Sequence, residues 1–135
     1  MQRTRILIVD DDQVAAIALA RYLEAVTGYQ ADDAGNAAEA ISLMAVERQY
    51  AAAVIDLVLH LESGLDVARS IKRLSPSTMV ILVSGANAFG SFAVEAMERV
   101  VDYRLCRPID VTELVQLIRS ADDTSSSSHR CASLE

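Results

Sequence analysis

Residues 6–12 read ILIVDDD, a run of branched apolar residues that leads directly into three consecutive carboxylates. A short apolar run between polar residues is typical of a buried strand. Adjacent carboxylates raise each other's pKa unless a cation lies between them, so this strand ends either in open solvent or at a metal ion. A cluster of hard oxygen ligands favours Mg²⁺. The alternative is a solvated acidic loop in which Asp12 caps the following helix.

Apolar runs and amphipathic segments alternate along the rest of the chain. Further strands are predicted at residues 29–34, 51–56, 78–83 and 102–106. Helices are predicted at residues 14–26, 37–48, 65–74 and 91–100, and a fifth helix begins after Asp110. This alternation calls for a parallel sheet that is covered by helices on both faces. The strand at residues 29–34 carries two aspartates, and we expect it near an edge of the sheet.

The spacing of apolar residues predicts which helix faces pack on the sheet. The expected inward residues are Leu19, Leu23 and Val26 in the first helix, Ile41, Met44 and Ala45 in the second, Ala68, Ile71 and Leu74 in the third, and Val111, Leu114, Val115 and Ile118 in the fifth. Gly28 is expected to end the first helix, while Asn36 and Asp110 are expected to cap the second and the fifth.

Polar residues follow several predicted strands at their carboxyl ends, which is where ligands bind in doubly wound parallel sheets. These residues are Asp10, Asp11, Asp56, Ser84 and Arg107. Carboxylates that hold Mg²⁺, together with a hydroxyl and a fixed cation, suit phosphoryl chemistry because they neutralise or bind phosphoryl oxygens. Asp56 stands alone at the end of a central strand, so we expect it to be the nucleophile that forms an acyl phosphate. The adjacent Asp10 and Asp11 suit metal binding.

The composition excludes several classes of function. The chain has 135 residues, which is enough for one domain. Its net charge of -7 gives a surface that repels nucleic acid. No apolar stretch could cross a bilayer and no signal peptide is recognisable, so we expect a cytoplasmic protein that binds neither nucleic acid nor membrane. The contexts of Cys106 and Cys131 argue against a structural disulfide. Residues 1–121 should form the domain, and the Ser-rich residues 122–135 a disordered tail or linker that could end in a cloning remnant.

The ordered set of motifs resembles the receiver domain of two-component response regulators. The resemblance covers residues 4–121. It rests on residues 6–12 (ILIVDDD), 54–57 (VIDL), Gly64, 82–85 (LVSG), 93–97 (AVEAM), 102–103 (DY) and 107–108 (RP). The resemblance implies an α/β, doubly wound, flavodoxin-like fold with a five-stranded parallel sheet of order 2-1-3-4-5 and five helices. It also implies a phosphoacceptor domain, not an enzyme that turns over external substrates.

The resemblance further implies a role for each candidate residue. Asp56 would accept a phosphoryl group from a histidine kinase or a phosphotransfer protein. Asp11, Asp56 and the backbone carbonyl of Val58 would bind Mg²⁺ directly, and Asp10 would act through a water. Ser84 would hydrogen-bond a phosphoryl oxygen and move toward it on phosphorylation. This motion would reshape the face of the fourth helix, fifth strand and fifth helix, where an unnamed output partner binds and homodimers can form.

Three positions depart from the family pattern. Arg107 replaces the lysine that precedes the proline after the fifth strand, and the two residues are not interchangeable at a close phosphate contact. Arg104 stands where the family has an aromatic switch residue, while Tyr103 falls on the opposite face of the strand. His60 replaces a proline, so we expect a less rigid loop. We hypothesise that phosphorylation survives and that a switch at Ser84 and Arg104 differs from the usual aromatic rotation.

Two positions bear on the lifetime of the phosphoryl group. The family often has polar groups there that position the hydrolytic water, whereas this chain has Val58 and Ala86. We therefore expect a long-lived phosphoryl group.

Two alternative functions fit parts of the sequence. A pseudo-receiver would keep the fold and bind partners without phosphorylation, which the three departures favour. A haloacid-dehalogenase-type phosphatase would use Asp10 as nucleophile and Asp12 as acid/base, with Ser84 in its second motif. That enzyme would leave Asp56 without a role, and it needs a strand that ends in an acidic pair, whereas residues 122–123 follow a helix. In a receiver, Asp12 would lie outside the site.

Overall fold

The computed structural model describes residues 4–47, 49–85 and 99–126. The strands are β1 (Arg5–Val9), β2 (Gln30–Ala34), β3 (Ala52–Asp56), β4 (Met79–Ser84) and β5 (Tyr103–Cys106). The described helices are α1 (Gln13–Thr27), α2 (Ala37–Glu47), α3 (Gly64–Leu74) and α4 (Val111–Ser126). All neighbouring strands pair in parallel, and the strand order is β2-β1-β3-β4-β5. The predicted fold class, strand order and edge position of β2 are confirmed.

The helix predicted at residues 91–100 falls mostly outside the described residues. Only Arg99 and Val100 of that segment are described, and both are helical. The fifth predicted helix is α4 in the numbering used here.

The three central strands β1, β3 and β4 are buried on both faces, which explains why they are almost continuously apolar. Side chains alternate between the faces along each strand. One face packs with residues of α2 and α3 around Leu7, Val9, Ala53, Ile55, Val80 and Leu82. The other face packs with residues of α1 and α4 around Ile6, Ile8, Val54, Ile81, Val83 and Leu105. The two layers fix the strand ends, and therefore the polar residues that follow them.

The helix ends follow the predicted caps. The Asp12 carboxylate accepts a hydrogen bond from the amide of Ala15 at 3.1 Å, and Gly28 adopts the left-handed conformation with φ 77° after α1. The Asn36 side chain accepts from a first-turn amide of α2, and the Asp110 side chain does so for α4. These four caps are confirmed, and they set where each loop leaves the sheet.

Five predicted inward residues are wrong. Val26 is 43% exposed and Leu74 is 57% exposed, although both lie on otherwise apolar helices. In α3 the buried stripe runs through Ile71 to Ser75 at i+4, so Leu74 falls beside it. Ile41 and Ala45 of α2 and Val111 of α4 are likewise exposed. Helix α2 buries Met44, as predicted, together with Ala40. The buried residues of α1 are Ala16, Ala20 and Leu23.

Helix α4 continues past the end of the predicted domain. Residues 122–126, which the sequence assigns to the tail, are helical. The Asp122 carboxylate accepts hydrogen bonds from the hydroxyls of Thr4 at 2.7 Å and Tyr29 at 3.2 Å. These contacts tie the helix to the amino ends of β1 and β2, and the division of the chain into a domain and a tail stays a prediction. None of the described helices has the length and apolarity needed to span a membrane.

Candidate functional site

The carboxyl edge of the sheet brings together aspartates that are distant in sequence. Asp10 directly follows β1 and Asp56 ends β3, and these two strands are neighbours in the sheet. Carboxylate oxygens of Asp10, Asp11 and Asp56 all lie within 4.8 Å of one another. The Asp10 and Asp56 side chains are 13% and 12% exposed, whereas Asp11 is exposed. The predicted convergence of these three residues is therefore present.

Local hydrogen bonds orient the two partly buried carboxylates. Asp10 Oδ1 accepts from the amide of Asp12 at 2.9 Å, and Asp56 Oδ1 accepts from the amide of Val58 at 3.1 Å. Each bond closes a short turn at the end of its strand, as aspartate side chains commonly do. The Asp12 carboxylate instead caps α1, so it points its oxygens at the helix and not at the cluster.

Arg107 supplies a positive charge to this cluster. Its guanidinium lies 3.5 Å from both carboxylate oxygens of Asp56 and 3.6 Å from Oδ2 of Asp10. Its backbone amide donates to the carbonyl of Ser84 at 2.9 Å, which fixes the start of the segment after β5. One guanidinium thus contacts two of the three carboxylates, and the cluster keeps an excess of negative charge.

The environment disfavours the ionised form of Asp10. Burial raises the pKa of Asp10 above its ordinary value, and the charges of Asp56 and Asp11 add to this effect. The hydrogen bond from the Asp12 amide and the charge of Arg107 oppose it. A carboxylate in this position is stabilised by any further cation, because a cation offsets both the burial and the repulsion.

The donor set fits a hard divalent cation. Carboxylate and carbonyl oxygens are the ligands that Mg²⁺ prefers, and two or three carboxylates on one open edge leave room for its waters. The backbone carbonyl of Val58, a predicted ligand, belongs to the β3–α3 loop (residues 57–63) directly after Asp56. The Val58 side chain is 63% exposed. These residues could hold Mg²⁺, and the individual ligand assignments stay predictions.

A glycine lets the β3–α3 loop return close to the end of β3. The amide of Gly64 donates to the carbonyl of Leu57 at 2.7 Å. A Cβ at this position would meet backbone atoms of Asp56 and lie 2.8 Å from Cα of Leu57. No side chain fits such an approach, so Gly64 is needed where the loop closes beside Asp56.

Ser84 lies on β4, which is next to β3, and Arg104 lies on β5, the strand beyond it. Ser84 ends β4 at the same carboxyl edge and is 3% exposed. Arg104 is exposed on β5, whereas Tyr103 packs into the core on the α1 and α4 side. The predicted separation of Tyr103 and Arg104 onto opposite faces agrees with this packing. The switch roles of Ser84 and Arg104 stay predictions.

Sequence comparison decides the family. Residues 6–119 match the profile of the response regulator receiver domain. The chain belongs to the response regulator receiver family. Receiver domains partner with histidine kinases, and they typically act as phosphoacceptors and not as turnover enzymes.

Curated relatives of this receiver are longer proteins. The DNA-binding transcriptional regulator NtrC of Azospirillum brasilense is 32% identical over 121 residues, which are 90% of this chain and 24% of NtrC. The photosynthetic apparatus regulatory protein RegA of Rhodovulum sulfidophilum is 31% identical over 115 residues, which are 85% of this chain and 61% of RegA. The chain thus spans less than two thirds of the length of these relatives.

Solved receiver structures share the fold. A CheY-like receiver domain from Methylobacillus flagellatus is 31% identical, with a TM-score of 0.75 and coverage of 89% of this chain and 99% of that one. TrrA from Thermotoga maritima, solved in complex with Mg²⁺ and BeF, is 24% identical, with a TM-score of 0.74 and coverage of 87% and 98%. The latter similarity supports the fold alone.

The receiver geometry does not support the phosphatase alternative. That mechanism needs Asp12 as an acid/base beside Asp10, but Asp12 caps α1. Asp56, which the alternative leaves without a role, is a member of the cluster instead.

Ala86, named for its effect on phosphoryl lifetime, lies outside the described residues.

Several internal hydrogen bonds restrain the β3–α3 loop, which we expected to be less rigid because it lacks the proline. His60 is exposed in this loop, but the amide of Leu59 donates to the carbonyl of Glu62 at 3.3 Å, and Val58 and Ser63 form an isolated bridge. Sequence reasoning overlooked Glu62, whose carboxylate contacts a helix far away in the chain. The local sequence around an acidic loop residue does not indicate a hydrogen-bond partner 25 positions away.

Proposed function

We propose that this receiver accepts a phosphoryl group on Asp56 from the phosphohistidine of a kinase or phosphotransfer protein, in a reaction that depends on Mg²⁺. The observation that carries the proposal is the convergence of Asp10, Asp11 and Asp56 within 4.8 Å at the carboxyl edge of the sheet. Asp56 is the natural acceptor, because it ends a central strand and its oxygens already face a cationic group.

The chemistry assigned to Asp56 is an in-line displacement. A carboxylate oxygen of Asp56 attacks phosphorus, the P–N bond to the donor imidazole breaks, and an acyl phosphate forms. The amide of Val58 holds Oδ1, so Oδ2 is the oxygen better placed to attack. Arg107 and the hydroxyl of Ser84 would bind phosphoryl oxygens, and both lie at this edge.

The metal would be held by residues next to the acceptor. Asp11, Asp56 and the carbonyl of Val58 would bind Mg²⁺ directly, and Asp10 would act through a water. Bound Mg²⁺ neutralises charge on the phosphoryl oxygens. The exposed, apolar side chain of Val58 supports the expectation of a long-lived phosphoryl group, because it offers no hydrogen bond to an attacking water.

The direct test is phosphorylation by a small phosphodonor. Incubation with acetyl phosphate and Mg²⁺ should add one phosphoryl group to the protein, measured by intact mass spectrometry. Asp56→Asn should stay unmodified, and EDTA should prevent the reaction in wild type. Equal labelling of the Asp56→Asn variant, or none in folded wild type, would contradict the proposal.

Phosphorylation would act on the buried Ser84 and so alter a surface that includes Arg104. Arg104 is exposed on β5, so a change at Ser84 on the neighbouring strand could reach a partner through it. The output partner is not identified, and homodimerisation through the helix predicted at residues 91–100 and α4 is part of the same proposal. A cytoplasmic location and the lack of direct nucleic-acid or membrane binding are also proposed.

A phosphorylation-independent pseudo-receiver is the second candidate. The observation that favours it is the Arg107 guanidinium, which already contacts both Asp56 and Asp10 and could serve as a built-in cation. The mass measurement separates the two candidates, because a pseudo-receiver stays unlabelled while its fold is intact.

A further inference from the structure

The β3–α3 loop is anchored at its far end to a different helix. Oε2 of Glu62 accepts a hydrogen bond from the amide of Ala37, the first residue of α2, at 2.8 Å. The contact is partly buried and joins residues that are 25 positions apart. First-turn amides of a helix lack partners within the helix, and a carboxylate there also interacts favourably with the helix dipole.

The same loop carries the backbone carbonyl that would bind the metal. Val58 is held at one end by the bond from its amide to Asp56, and the bridge to Ser63 links it to the other side of the loop. Glu62 lies directly before Ser63, and its carbonyl accepts from the amide of Leu59. The contacts from Val58 to Glu62 therefore form a continuous path that ends at Ala37.

We propose that Glu62 is a positioning residue for the metal site, which fixes the β3–α3 loop to the amino end of α2 and so orients the Val58 carbonyl. The inference rests on the proposed function, because it assigns the Val58 carbonyl to Mg²⁺. A ligand that is ordered before binding loses less conformational freedom when the metal binds. Residues that orient metal ligands in this way affect affinity without touching the metal.

The anchor also accounts for a loop that lacks the family's proline. The loop has His60 at that position, and its neighbour Leu61 is 88% exposed, so neither residue packs the loop down. Leu59 is buried, and Glu62 is bonded to Ala37. The restraint that proline would provide through the backbone is supplied here by a side-chain contact.

The chain offers a matched control at the same helix end. Oε1 of Glu39 accepts from the amide of Gly35 at 2.7 Å, and the amide of Glu39 donates to the side chain of Asn36. Glu39 therefore supports the start of α2 but not the β3–α3 loop. A change that acts only through the stability of α2 should appear equally in Glu39→Ala and Glu62→Ala.

The experiment is a Mg²⁺ titration of the full chain, followed by the backbone amide shifts of Asp11 and Val58. Glu62→Ala should raise the Mg²⁺ dissociation constant about tenfold, the lower end of the effect of residues that support metal ligands. Glu62→Gln keeps an acceptor oxygen and should recover most of the affinity. Glu39→Ala should bind Mg²⁺ as wild type does.

A second readout needs no metal. Hydrogen exchange at the amides of Val58 and Leu59 should accelerate in Glu62→Ala and stay unchanged in Glu39→Ala. Wild-type Mg²⁺ affinity in folded Glu62→Ala, or an equal loss in Glu39→Ala, would overturn the inference while leaving the proposed function intact. Absence of Mg²⁺ binding in wild type itself would overturn both.

Discussion

At the amino end of the sheet, aspartates lie close to groups that satisfy them. Asp102 Oδ2 lies 2.8 Å from the ammonium of Lys72, and both side chains are about one-fifth exposed, at 21% and 19%. Asp122 accepts from the hydroxyls of Thr4 and Tyr29. Each of these carboxylates has partners at hydrogen-bond distance, as expected for groups that hold a fold together.

At the carboxyl end, the described carboxylates outnumber their cation. Asp10, Asp11 and Asp56 form the cluster, and Arg107 lies 3.5 Å from Asp56 and 3.6 Å from Asp10. The difference separates acidic residues whose charge is satisfied within the fold from acidic residues whose charge is left in excess. Removing a charge should therefore destabilise the amino end and stabilise the carboxyl end.

Breaking the amino-end pair should give the larger effect. Lys72→Met would remove the cation beside Asp102 and should lower the free energy of unfolding by about 2 kcal/mol, less than for a fully buried pair because both side chains are partly exposed. Urea denaturation measures the change. Arg69→Met is the matched control, because Arg69 pairs with Asp66 at 2.7 Å on the surface and its loss should cost less than about 0.5 kcal/mol. Equal losses of unfolding free energy in Lys72→Met and Arg69→Met would contradict the structural role of the Lys72–Asp102 pair.

Removing a carboxylate at the carboxyl end should have the opposite sign. Without Mg²⁺, Asp56→Asn relieves repulsion from Asp10 and Asp11 and keeps an oxygen for the amide of Val58, so the free energy of unfolding should rise by about 1 kcal/mol. Thermal melts measure this change. In such melts Mg²⁺ should raise the stability of the wild type and leave that of the variant unchanged. Destabilisation of Asp56→Asn would show that this carboxylate serves the fold.

Removing the shared cation should sharpen the comparison further. Arg107→Gln takes away a charge beside both Asp56 and Asp10, so Mg²⁺ should bind about threefold more tightly by calorimetry. Beryllium fluoride should bind less tightly, because Arg107 is the cation that we propose for the phosphoryl oxygens. Weaker Mg²⁺ binding in this variant would mean that Arg107 organises the carboxylates and does not compete for them.

Tyr29 provides the smallest test, at the amino end. Burial, and then the charge of Asp122, raise the pKa of Tyr29 above its ordinary value of 10.0. The protonated hydroxyl therefore stabilises the native state below that value, and this contribution is lost as pH rises through the raised native pKa. Tyr29→Phe should lose about 0.5 kcal/mol at neutral pH. The gap should close in alkaline unfolding curves, and a gap that widens would contradict the assignment.

The sequence predicts the carboxyl end of the sheet better than its amino end. Asp10 and Asp56 directly follow apolar runs, so their convergence depends only on strand order. Two other contacts depend on how separate segments pack, and local sequence patterns do not predict them. They are the contacts of Lys72 with Asp102 and of Glu62 with Ala37. Leu74 was misplaced for a related reason, because the stripe of α3 ends on a small polar residue that pattern reading treats as exposed.

The most direct measurement is a titration of the protein with beryllium fluoride in the presence and absence of Mg²⁺, followed by backbone amide shifts. The account predicts saturable, Mg²⁺-dependent shifts at Asp56, Ser84 and Arg107 that vanish in Asp56→Asn. Spread of the shifts to Arg104 would indicate that the switch operates. Absence of binding by folded wild-type protein would contradict the phosphoacceptor account and favour the pseudo-receiver.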